Sequence, residues 1–150
     1  ETGADRERLA RAPIILAGFS GGNVAVVTGL EKGGVGRRVA GVVLLDALYG
    51  EVGRYAAWFA RNDQRAFFVV LYGASTTDST DRLMTAFRDR GLPFALRWPR
   101  GPLGEAGNLF LRVDTPHLRI PAKGPPADPV AAILRRLPPF EAFALAPPPG

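Results

Sequence analysis

Two stretches of this chain run apolar almost end to end, "VAGVVLLD" at 39–46 and "AFFVVLYG" at 66–73. A strand with one wet face alternates apolar and polar residues. A strand that does not alternate is covered on both faces, the condition of a parallel sheet flanked by helices. A third run, Ile14 to Gly18, has the same character and follows Pro13. Between and beyond these runs the pattern changes to helical spacing. A helix fits 21–31, closed by "KGG", and in 52–62 Val52, Tyr55 and Phe59 recur on one side. Another spans about 79–90, with Leu83, Met84 and Phe87 on one face and Gly91 as its stop.

The remaining segments are shorter. Residues 4–11 are polar and helix-compatible, and Phe94 to Trp98 and Leu109 to Val113 read as strands around the loop "PRGPLGEAGN". A last helix begins with Asp128 as cap and Pro129 in its first turn, and Val130, Ile133, Leu134 and Leu137 form its apolar stripe. "PPFEAFALAPPPG" (138–150) reads as a loose tail. Strands alternating with helices at this spacing predict a three-layer α/β domain with a mostly parallel sheet, one domain over 1–150.

Whole-chain properties narrow the function. A length of 150 residues at 47% apolar composition suffices for one ordinary core. No apolar run reaches the length of a membrane span, so no membrane partner is expected. The opening "ETGADRERLAR" has neither the basic start nor the apolar run of a secretory signal, and no initiator methionine, as expected of a processed chain, an excised domain or a fragment. The absence of cysteine excludes disulfides, thiolate metal sites and a cysteine nucleophile, and suits either redox compartment. The net charge of +5 comes from scattered arginines without interleaved aromatics, which reads as a solvated basic surface and not a nucleic-acid interface.

The chemistry concentrates where the first strand ends. "GFSGG" sets Gly18, Ser20 and Gly22 in the G-x-S-x-G spacing of a nucleophile elbow. Such a serine sits on a sharp turn at the carboxyl end of a strand, and the residues two before and two after it approach closely and must be small. The helix that follows aims backbone N–H groups at the site, and the Gly21 N–H would be one oxyanion donor. The competing reading is nucleotide binding at the Gly-rich 18–22 turn, with Asp46 near the place of a ribose-binding acid. Ser20 and Asn23 then stand where that fingerprint needs its second and third glycines, and a side chain there intrudes on pyrophosphate.

A serine nucleophile needs a base, and the chain contains one histidine, His117, in "VDTPHLRIP" just after the last strand candidate. The orienting acid has two main candidates, each following a buried strand. Asp46 closes "VVLLD" and is preferred. Asp78, in "YGASTTDSTD", is the alternative, though Asp78 and Asp81 already fit a capping arrangement for the next helix. Glu51 ranks third.

The "GFSGG" elbow, then Asp46 or Asp78, then His117 resemble the α/β-hydrolase superfamily in the order serine, acid, histidine. The resemblance covers about residues 12 to 137 and is to the carboxyl-terminal half of that fold, from the elbow onward. "LLDALYG" followed later by "HLRIP" looks like bacterial hydrolase-like proteins. The resemblance implies a serine hydrolase of the esterase type acting on a small-molecule acyl substrate, with no metal or organic cofactor. In the superfamily the acid commonly follows the strand matched by "FFVVLYG", and in some branches the one matched by "VVLLD", so both acids stay open. The family also places several strands before the elbow and draws a second oxyanion donor from one of their loops. Only about a dozen residues precede Ile14. A missing upstream segment, or a homo-oligomer covering an exposed elbow strand, is the expectation, and a non-catalytic module acting by self-association is the alternative.

Overall fold

The computed structural model describes residues 3–61, 66–103, 107–124 and 126–137; the tail expected at 138–150 lies outside them. Five parallel strands form one open sheet: β1 (Ile14–Phe19), β2 (Val39–Leu45), β3 (Phe67–Tyr72), β4 (Phe94–Ala95) and β5 (Asn108–Arg112), in the order β1-β2-β3-β5-β4. Helices α1 (Gly3–Arg11), α2 (Asn23–Lys32), α3 (Val52–Arg61), α4 (Thr77–Asp89) and α5 (Pro129–Leu134) make the connections and flanks. The α/β class with a parallel sheet is thus the one the unbroken apolar runs call for. Every residue of β2 and β3 is buried, whereas β1, at the sheet's end, is mostly half-buried.

Alternation along the strands divides the core in two, because successive side chains point to opposite faces. Val42 and Leu44 of β2, Phe68 and Val70 of β3 and Phe110 of β5 face α2, α3 and α4, meeting Val27, Tyr55, Phe59, Leu83 and Phe87. Phe59, Phe68, Phe87 and Phe110 pack ring against ring, with centroids 4.7 Å apart for Phe59–Phe68 and 5.5 Å for Phe87–Phe110. Burying each such side chain contributes about 1.5–3 kcal/mol. On the other face Val43, Leu45, Phe67, Val69, Leu71 and Leu111 pack beneath Leu103, Ile120 and Ile133. Gly41 interrupts β2 for a steric reason: a Cβ there would fall inside the space of the Phe67 ring.

Three expectations change. The strand expected at Phe94 to Trp98 is only Phe94–Ala95: it is the outer strand beside β5, and Leu96 already faces water at 57% exposure. In α5, Asp128 does cap by accepting from Ala131 N–H, but the buried residues are Pro129, Ala132 and Ile133, while Val130 and Leu134 are exposed. The helix ends at Leu134, before a second turn of the expected stripe forms, and Leu137 packs from beyond its end. Helix α4 begins at Thr77, so Asp78 lies inside its first turn and is not its cap. Thr76 holds the N-cap place and makes no side-chain cap bond; its hydroxyl is bonded elsewhere.

The strand register is what positions the site. Phe19 pairs with Leu45, Leu45 with Leu71, and Leu71 with Leu111. The carboxyl ends of four strands therefore fall in one row. Ser20, Asp46, the loop from Gly73 and the segment leading to His117 all emerge from that row.

Candidate active site

Strand β1 ends in extended backbone at Phe19 (φ −117°, ψ 139°), and the next residue, Ser20, takes φ 53°. A non-glycine residue in the left-handed region is uncommon and costs of order 1–3 kcal/mol. One 3-10 turn, Ser20–Gly22, then feeds α2. The turn is tight enough to require Gly18, where a Cβ would lie 2.9 Å from Val26 Cγ2 and 3.2 Å from the backbone of Gly22. The expected demand for smallness at Gly22 is different in kind: a Cβ there would meet open space. Gly22 matters as the backbone that Gly18 approaches.

Asp46 ends β2 with the same backbone device, φ 45°, but is 1% exposed. Its amide donates to Leu71 O at 2.7 Å, anchoring it across to β3. The carboxylate is fully engaged. Oδ1 accepts from Gly73 N–H at 2.9 Å and from the Thr76 hydroxyl, and Oδ2 accepts from Ser75 Oγ at 3.2 Å. His117 Nδ1 lies 2.7 Å from Asp46 Oδ2. Burial pushes this acid's pKa up, but the hydrogen bonds from Thr76, Gly73, His117 and Ser75 outweigh it and hold the carboxyl below its ordinary value.

His117 opens a short 3-10 turn, His117–Arg119, after extended Pro116. Its Nε2 lies 2.9 Å from Ser20 Oγ. Because Nδ1 faces a carboxylate, which only accepts, Nδ1 carries the proton and Nε2 accepts from the serine hydroxyl. Phe19 stacks on the imidazole at 4.9 Å between centroids and 25° between planes, and Tyr49 meets it edge-on at 6.4 Å. The ring is held by hydrogen bonds at both nitrogens and by aromatic contacts from two strand-end segments.

Ser20, His117 and Asp46 are thereby brought into one hydrogen-bonded chain from residues far apart in sequence. Asp78 is not part of it: the residue is exposed in the first turn of α4, where its charge complements the helix dipole. Glu51 also lies outside, bonded to Arg54, which bridges to Glu31. Gly21, the expected oxyanion donor, follows Ser20 directly in the exposed part of the turn. Among the described residues, no group of three or more His, Asp or Glu is disposed to hold a metal ion, and no helix is long and apolar enough to cross a membrane.

Sequence reading misses Gly73, Ser75 and Thr76 as partners of Asp46, and Phe19 and Tyr49 as partners of His117. The available signal is positional: "GAST" leaves β3 at the row of strand ends from which Asp46 also emerges. Comparison of the chain with protein-family models, curated proteins and solved structures finds no match in any of the three.

Proposed function

We propose that this protein is a serine hydrolase that cleaves an ester or related acyl bond, with Ser20 as nucleophile, His117 as general base and acid, and Asp46 as the orienting carboxylate. The observation that carries this reading is the unbroken chain Ser20 Oγ–His117 Nε2 and His117 Nδ1–Asp46 Oδ2, at 2.9 and 2.7 Å, with the serine raised on a left-handed turn.

In this mechanism Ser20 Oγ attacks the acyl carbon while its proton passes to His117 Nε2. The buried Asp46 carboxylate stays ionised and stabilises the imidazolium. The oxyanion of the tetrahedral intermediate accepts a hydrogen bond from Gly21 N–H. The bond to the leaving oxygen breaks as His117 returns the proton to it. Water, deprotonated by His117, then attacks the acyl-enzyme, releasing the acid and restoring Ser20.

Turnover of p-nitrophenyl butyrate by the wild type, lost in both Ser20→Ala and His117→Ala, is the expected result. Equal turnover by wild type and Ser20→Ala would refute the assignment.

The nucleotide reading has less support, because the acid it needs has all of its acceptor capacity in use inside the protein and is closed to a ribose. The self-association reading keeps one observation in its favour: among the described residues the outer edge of β1 has no paired strand. Light scattering on the purified chain tests it, a monomer being the adverse result.

A further inference from the structure

Exposed large apolar side chains need no explanation singly, but one held against the histidine of the proposed triad does. Tyr49 is 48% exposed, yet it is not a loose side chain. Its loop is fixed by Ala47 and Leu48, both completely buried, and its amide donates to Ala47 O at 2.9 Å. From that mount the ring meets the His117 ring in a T-shaped contact, and Phe19 stacks on the imidazole. Leu118, next in the chain to His117, is 82% exposed, and Val24, in the first turn of the helix that Ser20 introduces, is 57% exposed.

We propose that Tyr49 determines specificity, seating the apolar acyl chain of the substrate beside His117 so that medium-chain acyl groups are preferred to acetyl. The inference rests on the hydrolase reading and adds to it the substrate class. A chain laid across Tyr49 covers apolar surface that otherwise faces water, and each methylene buried is worth roughly 0.8 kcal/mol, about fourfold in kcat/KM. A rigid aromatic platform does this at low entropic cost.

The test has a kinetic arm and a binding arm. In the first, kcat/KM is measured for p-nitrophenyl acetate and octanoate with wild type, Tyr49→Ala and Tyr49→Phe. The expected octanoate-to-acetate ratio is roughly ten or more for wild type, falls about fivefold or more in Tyr49→Ala, and survives in Tyr49→Phe, which keeps the ring. An equal loss on both esters in Tyr49→Ala would overturn the proposal, since Tyr49 would then act only through His117. In the second arm, sodium octanoate and sodium acetate are titrated into wild type while the imidazole NMR signals of the sole histidine are followed. Shifts with octanoate and not with acetate, abolished in Tyr49→Ala, are expected. No difference between the two salts would overturn the apolar seat even if esters are hydrolysed. The octanoate shift without hydrolysis of any ester would retain the seat and count against the hydrolase reading alone.

Discussion

Two adjacent strands of this sheet end in the same way, and the two ends do opposite things. Phe19 and Leu45 are register partners, and the residue after each, Ser20 and Asp46, is a non-glycine with positive φ. At both places the backbone turns sharply so that a polar side chain projects from the row of strand ends. Asp46 is then locked: it is buried and accepts four hydrogen bonds. Ser20 is left half-exposed, and among the described residues the imidazole is the one side-chain partner at its hydroxyl. Bonds compensate the strained backbone at Asp46 and make it a fixed anchor, whereas the same strain at Ser20 leaves its hydroxyl turned outward, where the proposed mechanism uses it as nucleophile. His117 joins the two.

The contrast predicts that the corners respond differently to substitution. The largest effect is expected at Ser20. Ser20→Ala should lower ester turnover by roughly 10⁴-fold or more and leave the fold intact. Ser20→Gly should be as inactive and, by relieving the left-handed strain, more stable by about 1 kcal/mol in urea unfolding. A destabilised Ser20→Gly would break the comparison, because strain would then not be stored at that corner.

At Asp46 both properties should fall together. Asp46→Asn should reduce kcat by about 10³–10⁴-fold, since an amide cannot hold the imidazole in the same tautomer. It should also cost about 1–3 kcal/mol of stability through lost charge-assisted bonds and an amide placed opposite donors. Thr76→Val removes one bond from the anchor and keeps the side-chain volume. About tenfold in kcat/KM and about 1–2 kcal/mol are expected, with Ser75→Ala, at the longer distance, below either.

The smallest effect concerns pH. The Asp46 carboxyl is held below its ordinary value of 3.8. Its stabilisation is therefore complete above that value and is lost as pH falls through the lower, folded one. Urea unfolding of wild type between pH 5 and pH 2 should show this loss, and Thr76→Val, whose folded carboxyl lies nearer its ordinary value, should show a smaller loss that is complete at a higher pH. Coincident acid profiles for the two proteins would remove the hydroxyl from the account of the anchor.

Much of the frame was legible because the residues that specify it are contiguous. Unbroken apolar runs mark β2 and β3 as buried on both faces, and the G-x-S-x-G spacing places a serine where β1 turns into α2. The acid was not decidable in the same way. Asp46 and Asp78 both follow buried strands, and what separates them is register and the two extra residues at the start of α4, neither of which has a local signature. Thr76 escapes sequence reading for a related reason: it stands at the N-cap place of α4, but its hydroxyl is bonded to a carboxylate 30 residues away, a partner with no local signature. The short outer strand β4 and the buried face of α5 are not legible because too few residues carry a period in either.

The most direct test is covalent labelling. The chain has three serines, Ser20, Ser75 and Ser79, and they are nearly matched in intrinsic chemistry. Treatment of the folded protein with a fluorophosphonate, followed by peptide mass spectrometry, should place one equivalent of label on Ser20, and the label should disappear in His117→Ala. A folded protein that takes no label, or takes it equally at Ser75, would contradict the claim that the corner at Ser20 is built to activate its hydroxyl.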